Sequence, residues 1–181
     1  MHRILGFFRR KDLPLIINHS ALAAFLLTAL GSAALADVRL PHIFSSNMVL
    51  QRQVAAPVWG WADPGEVVSV SVGGLELKTR ADMNGCWGLR LAPFPEGGPY
   101  DMIVRGSKNE IKLDNIVIGD VWLCSGESNM RFEALSSSTG KQALAGANLP
   151  QLRLFKVPLR AAGQPVQDVD ATWQVCTPAT A

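Results

Sequence analysis

Histidine and cysteine are scarce in this sequence, which has three of each among its 181 residues. His2 and His19 lie before residue 37, so His42 is the single histidine of the remaining chain. No Cys-x-x-Cys pair occurs, whereas zinc sites are built from closely spaced cysteines and histidines. The sequence therefore predicts no bound metal. Because the number of cysteines is odd, at least one of them has no disulfide partner within the chain.

A strongly basic segment is also missing from most of the chain. The formal net charge is +2, and four of the basic residues lie within the first eleven positions. Removing these four together with Asp12 takes away a net charge of +3 and leaves about −1. No cluster of Lys and Arg with interleaved aromatic residues follows, which argues against nucleic acid as a partner.

The sequence lacks an uninterrupted apolar run of the roughly 20 residues that a membrane-spanning helix needs. Its N-terminal apolar stretch, Ala21–Leu30, follows a basic segment and the polar Asn18–Ser20, and it precedes the small-x-small pattern of Ala34–Ala36. This order predicts a signal peptide over residues 1–36, cleaved before Asp37, and an exported protein that is periplasmic or secreted. The membrane then takes part only in export. The alternative is an uncleaved anchor, for which the apolar run is short.

Residues 37–115 show the two-residue alternation of β-strands, interrupted by frequent turn formers. Valines alternate with serines over Val68–Val72, Gly73-Gly74 follows, and Leu75–Thr79 alternates again. This pattern predicts a hairpin with one buried face. Asn84-Gly85 predicts the next turn, and short strands separated in this way favour a β-sandwich.

The segment Gly119–Met130 combines an apolar run with a polar turn. Val121–Leu123 predicts a short buried strand, Ser125–Asn129 a tight turn, and Met130–Leu135 the start of a helix. A serine at such a turn is exposed, with backbone N–H groups beside its hydroxyl. The alternative is that Ser128 or Asn129 is only a helix N-cap, which is a common role for these residue types.

The string Gly-Asp-Val-Trp-Leu-Cys-Ser-Gly-Glu-Ser-Asn-Met over Gly119–Met130 resembles the signature of the sialate O-acetylesterase group of SGNH-type hydrolases. The string departs from that signature only at Glu127, where the family has Gln. A second block, Phe44–Arg52 followed by Pro57–Trp61, resembles the opening of these esterases, and Trp173–Pro178 resembles another recurrent piece. The Gly-x-Ser-x-Gly elbow of other hydrolases is excluded, because Met130 stands at its second glycine.

The resemblance implies an α+β multidomain fold. A β-sandwich over residues 37–115 is followed by the beginning of a flavodoxin-like α/β SGNH hydrolase domain over residues 116–181. Those last 66 residues are fewer than a typical domain of about 100 to 150 residues, so the hydrolase domain is expected to be incomplete.

The resemblance also implies that Ser128 attacks an acetyl ester on sialic acid or another acetylated sugar, with its own N–H as one oxyanion donor. Gly126, Glu127 and Asn129 become neighbours of this site, and neither a metal nor an organic cofactor is needed. In the family a downstream Asp-x-x-His pair supplies the general base and its orienting carboxylate. Neither Asp168 nor Asp170 has a histidine three residues further on, so the chain by itself is expected to be inactive.

Other interpretations stay open. The chain is alternatively a non-catalytic sugar-binding or interaction module. Trp59 and Trp61 lie on one face of a predicted strand, where they form either a sugar-stacking platform or, as we expect, part of the core. Glu127 either opposes the negative charge that develops on an attacked carbonyl or is a solvated turn residue.

Overall fold

The computed structural model describes residues 37–181, and the predicted signal peptide with its cleavage site lies outside the described residues. The strands of this part are β1 (Val49–Gln51), β2 (Pro57–Trp61), β3 (Val67–Val72), β4 (Leu75–Arg80), β5 (Cys86–Arg90), β6 (Gly97–Arg105), β7 (Glu110–Gly119), β8 (Leu149–Phe155) and β9 (Trp173–Cys176). Its helical segments are two 3₁₀ turns, Ser128–Arg131 and Ala134–Ser136, and one α-helix, α1 (Gly140–Ala145).

The strands form one five-stranded sheet and two strand pairs. The large sheet has the order β1-β7-β6-β3-β4, and the pairs are β2-β5 and β8-β9. Strand β1 runs parallel to β7, while the other neighbours are antiparallel. Residues 37–181 are therefore mostly β-sheet with few helices, and the expected α+β arrangement of a β-sandwich followed by an α/β domain stays a prediction.

The predicted hairpin at Gly73-Gly74 is confirmed, since β3 and β4 pair with Val72 opposite Leu75. Both glycines have positive φ values, 57° and 82°, which is the conformation that a two-residue hairpin turn requires. The alternate valines of β3, Val68, Val70 and Val72, are at most 2% exposed. Strand β4 is an edge strand, so its side chains are less buried than those of β3.

The five-stranded sheet and the β2-β5 pair contribute to one hydrophobic core. Val58 of β2, Met102 of β6 and Ile116 of β7 are fully buried in it. Ile116 lies in a strand that passes through the predicted domain boundary between residues 115 and 116. The division of the chain at that boundary stays a prediction.

The expected core packing of Trp59 and Trp61 is wrong. Trp59 is 38% exposed and Trp61 is half-buried, whereas Val58 and Gly60 on the opposite face of β2 are buried. The core tryptophan of this region is Trp87 of β5, which is 3% exposed. The face with the larger apolar side chains, Trp59 and Trp61, is the less buried one, so neither alternation nor side-chain size identifies the buried face.

The helical content of the described residues is small. The one α-helix of residues 37–181, α1, has only six residues. Among residues 37–181 no helix is long and apolar enough to cross a membrane.

Candidate active site

The candidate site lies in the segment that follows β7. The predicted strand over Val121–Leu123 is wrong, because residues 120–126 have no regular secondary structure. Val121, Trp122 and Leu123 are 44%, 85% and 92% exposed. An apolar run forms a buried strand only where neighbouring strands satisfy its backbone groups, and no strand in residues 37–181 pairs with this segment.

Ser128 is the first residue of a 3₁₀ turn, Ser128–Arg131, and its side chain is exposed. The predicted helix over Met130–Leu135 is wrong, since two separate 3₁₀ turns occupy this region. The N-cap residue of this turn is Glu127, so neither Ser128 nor Asn129 caps it. No side chain makes a capping hydrogen bond at this turn. The capping alternative is therefore not what the structure contains.

The neighbours of Ser128 are arranged mainly by backbone contacts. The Met130 N–H donates to the Glu127 carbonyl oxygen at 3.0 Å, which closes the turn that carries Ser128. A Cβ placed on Gly126 would lie 2.6 Å from Cγ of Met130, so this glycine allows the chain to fold closely over that side chain. Glu127 and Asn129 are both exposed. Gly126 to Met130 thus forms a short solvent-facing loop.

A histidine–carboxylate pair occurs elsewhere in the described residues. Nδ1 of His42 lies 2.7 Å from Oδ2 of Asp168, and the backbone N–H of His42 donates to Oδ1 of the same carboxylate at 2.8 Å. Asp170 is more distant, with Oδ1 3.9 Å from Nε2 of His42. The hydrogen bond with Asp168 and the charge of that carboxylate raise the pKa of His42. Burial tends to raise the pKa of Asp168, but hydrogen bonds from His42 and from the Val169 N–H lower it below its ordinary value.

The pair joins residues 126 positions apart in sequence, so no local spacing could have revealed it. A carboxylate that fixes an imidazole in this way is the arrangement that orients a general base. Within the described residues, however, His42 makes no hydrogen bond with Ser128, and the Ser128 hydroxyl has no hydrogen-bond partner. The structure therefore brings together a base and its orienting group, but it does not join them to the predicted nucleophile.

Two shallow clefts share Trp59 and Ile43 in their linings. One, of about 170 Å³, is almost entirely apolar and includes Trp173 and Val121. The other, of about 140 Å³, includes Gln167 and Asp168. Phe44 packs edge-on against the Trp59 ring, with the ring centroids 4.6 Å apart.

The cysteines offer no metal site in the described residues. Cys86, Cys124 and Cys176 are all free, and no group of three or more His, Cys, Asp or Glu side chains there could hold a metal ion. Cys124 is exposed in the irregular segment after β7, so it is not the small buried hydrophobic residue that its place beside the apolar run Val121–Leu123 suggests.

Comparison with known proteins identifies the relatives of this chain. No protein-family model matches it. The sialate O-acetylesterases of Pongo abelii and Homo sapiens are each 30% identical to it over 153 residues, or 75% of the chain. The chain is a relative of the sialate O-acetylesterases. The enzyme of Mus musculus is 29% identical over 150 residues.

A solved structure supports the same relationship. The crystal structure of a novel carbohydrate acetylesterase from Xanthomonas citri matches with a TM-score of 0.77 and 39% sequence identity, over 79% of this chain and 33% of that one. The chain spans only 29% of the length of the Homo sapiens sialate O-acetylesterase. The predicted resemblance to this group is confirmed.

Proposed function

We propose that this protein is part of an esterase that hydrolyses O-acetyl esters on sialic acid or another acetylated sugar. Ser128 is the nucleophile of this reaction. The observation that carries the proposal is the segment Gly119–Met130, which matches the esterase signature at all but one position. Sialate O-acetylesterases at 30% identity and a carbohydrate acetylesterase at 39% identity support it. We further propose that residues 37–115 are a β-sandwich and that residues 116–181 are the start of an α/β SGNH hydrolase domain.

In the proposed reaction, the Ser128 oxygen attacks the acetyl carbonyl carbon while a base accepts the hydroxyl proton. The carbonyl oxygen becomes an oxyanion, for which the Ser128 N–H is one donor. The sugar oxygen leaves with a proton, and water then releases acetate from the acyl-serine. This route uses only acid–base and hydrogen-bonding groups of the protein.

We propose that residues 37–181 by themselves catalyse this reaction very slowly. The Ser128 hydroxyl has no acceptor within them, and His42, although Asp168 orients it, makes no hydrogen bond with Ser128. General-base assistance typically contributes about 10²- to 10⁴-fold in rate. Each absent oxyanion donor costs roughly 10²- to 10³-fold more.

Glu127 is expected to reduce activity relative to the Gln of the family. Its carboxylate is exposed and directly precedes Ser128, where it opposes the charge of the developing oxyanion. Substitution Glu127→Gln tests this effect with little change in side-chain size. Equal rates before and after the substitution would assign Glu127 to the solvated turn.

The central experiment compares the 37–181 polypeptide with a chimaera in which residues 37–181 replace the matching part of the Xanthomonas citri acetylesterase. We expect no hydrolysis of an aryl acetate and no fluorophosphonate labelling by the polypeptide, and both by the chimaera. Ser128→Ala is expected to abolish both, with circular dichroism confirming that the chimaera folds. Activity retained after Ser128→Ala would refute Ser128 as the nucleophile.

A second candidate function is a non-catalytic sugar-binding module. It is favoured by Trp59, which is 38% exposed beside a cleft that also contains Gln167 and Asp168. Aromatic faces flanked by polar side chains suit sugar rings. Titration with sialic acid, followed by tryptophan fluorescence in the native protein and in Trp59→Ala, distinguishes the candidates. Binding lost in Trp59→Ala without any esterase activity in the chimaera would favour this second function.

Export is a further part of the proposal. The basic, apolar and small-x-small order of residues 1–36 supports cleavage before Asp37 and a periplasmic or secreted location. Intact-mass analysis of the exported protein should give a chain that begins at Asp37. A membrane-bound species that retains Met1 would contradict the export model.

A further inference from the structure

The two sequence blocks shared with the esterases meet at one end of the five-stranded sheet. Strand β1 lies near the end of the block Phe44–Arg52, with Arg52 directly after it. Strand β7 ends at Gly119, where the block Gly119–Met130 begins. The two strands are parallel neighbours, with Gln51 opposite Gly119. Both chain segments therefore leave the sheet at the same end. The segment that carries Ser128 begins at this end, after Gly119.

Arg52 joins these blocks through its guanidinium group. Its Nε donates to Oδ1 of Asp120 at 2.9 Å, and a terminal nitrogen donates to Oδ2 at 3.2 Å, so one carboxylate is held by two bonds. The other terminal nitrogen donates to Oε2 of Glu96 at 3.0 Å. The backbone N–H of Arg52 also donates to the Gly119 carbonyl oxygen at 2.9 Å.

Gln51 adds a contact one residue further along the segment. Its Oε1 accepts the Val121 N–H at 2.7 Å, and its Nε2 lies 3.4 Å from Oδ1 of Asp120. In the described part of the chain, the next backbone hydrogen bond after Val121 closes the turn between Met130 and Glu127. Val121 is thus the last residue before the Ser128 loop whose backbone N–H makes a hydrogen bond within the described residues.

The energetics of these contacts favour a local role. The side chains of Arg52 and Asp120 are 35% and 50% exposed. Exposed ion pairs contribute little to global stability, whereas a two-bonded arginine–carboxylate contact fixes geometry. Loss of such a contact should leave the melting temperature nearly unchanged and release only the segment it holds.

We infer that Arg52 and Gln51 are positioning residues, which fix the point and direction at which the Ser128 segment leaves the sheet and act on catalysis only through that segment. The inference about catalysis rests on the proposed function of Ser128. The structural part, that these side chains restrain residues 119–121, stands independently of it.

Amide exchange in the full chain tests the structural part. In Gln51→Leu, exchange at the Val121 N–H should rise at least about tenfold, because its acceptor is removed. Arg52→Lys keeps the positive charge but cannot form the pair of hydrogen bonds with the Asp120 carboxylate. This variant should also raise the exchange rate of the Val121 N–H. Glu96→Gln is the matched control, since it alters the other partner of Arg52, and it should leave the rate within about twofold. Rapid exchange of Val121 in the unmodified chain would overturn the inference.

Kinetics in the chimaera test the catalytic part. Arg52→Met and Gln51→Leu should lower kcat by roughly ten- to a hundredfold with KM nearly unchanged, because small misplacements of a nucleophile are costly. Arg52→Met combined with Asp120→Asn should be no slower than either single variant, since both disrupt one contact. An unchanged kcat with accelerated Val121 exchange would overturn the positioning role. An incorrect assignment of Ser128 as the nucleophile is recognised separately, because activity would then survive Ser128→Ala.

Discussion

Replacement of Gly60 by alanine should destabilise the protein more than any comparable change on the facing strand. Gly60 lies in β2 opposite Trp87 of β5. A Cβ there would lie 2.1 Å from the carbonyl oxygen of Arg39 and 2.9 Å from Cζ2 of Trp87. The first contact is with backbone and the second with a buried ring, so neither neighbour can move without loss of native contacts.

The expected cost follows from what has to move. Arg39 and Trp61 exchange two backbone hydrogen bonds, at 2.8 and 2.9 Å, and displacement of the Arg39 carbonyl group weakens this bridge. A hydrogen bond contributes about 0.5–1.5 kcal/mol, and overpacking of a core costs about 1–3 kcal/mol. We expect Gly60→Ala to lower the free energy of unfolding by about 2–4 kcal/mol, because the two effects partly overlap.

Gly88→Ala is the matched control, since Gly88 lies opposite Trp59 in the same strand pair. Its Cβ would lie 3.7 Å from Cβ of Trp59 and 3.8 Å from the Val58 carbonyl oxygen, which are ordinary contacts. We expect a change of less than about 1 kcal/mol, measured by urea unfolding with equal m-values. A cost below about 1 kcal/mol for Gly60→Ala, or equal costs for the two variants, would refute the steric argument.

Three further predictions concern other parts of the chain. The pKa of His42 is raised in the folded protein, so the stabilisation from its ion pair with Asp168 is fully present below pH 6.5. This stabilisation is lost as the pH rises through the pKa of His42 in the folded protein. Proteolysis of residues 156–172 should therefore accelerate at alkaline pH. Asp168→Asn should remove most of this dependence, because the more distant Asp170 contributes least to the raised pKa of His42, and an undiminished pH dependence would contradict the argument. Ile116→Ala removes a fully buried side chain and should cost about 2–5 kcal/mol in denaturant unfolding; a cost under about 1 kcal/mol would contradict its place in the core. Limited proteolysis should cut residues 120–139 before strands β3 to β7, because the segment is exposed and has few backbone hydrogen bonds; first cuts within those strands would oppose this.

Local patterns were sufficient for the parts of the fold that depend on neighbours in sequence. The alternating valines of β3 and the Gly73-Gly74 turn determined a hairpin, because side-chain alternation and positive φ are properties of the local backbone. The segment Gly119–Met130 likewise pointed to the esterase group without structural information, since a residue string can be compared directly.

The tertiary structure decided what depends on distant partners. Alternation showed that β2 has two faces, but only packing against the larger sheet placed Val58 inside and left Trp59 exposed. The apolar run Val121–Leu123 has strand-like composition, yet it is irregular because no strand in residues 37–181 pairs with it. His42 and Asp168 meet across 126 residues. Strand pairing, burial and ion pairing all require a second surface, and its position is set by the fold of the whole chain rather than by local sequence.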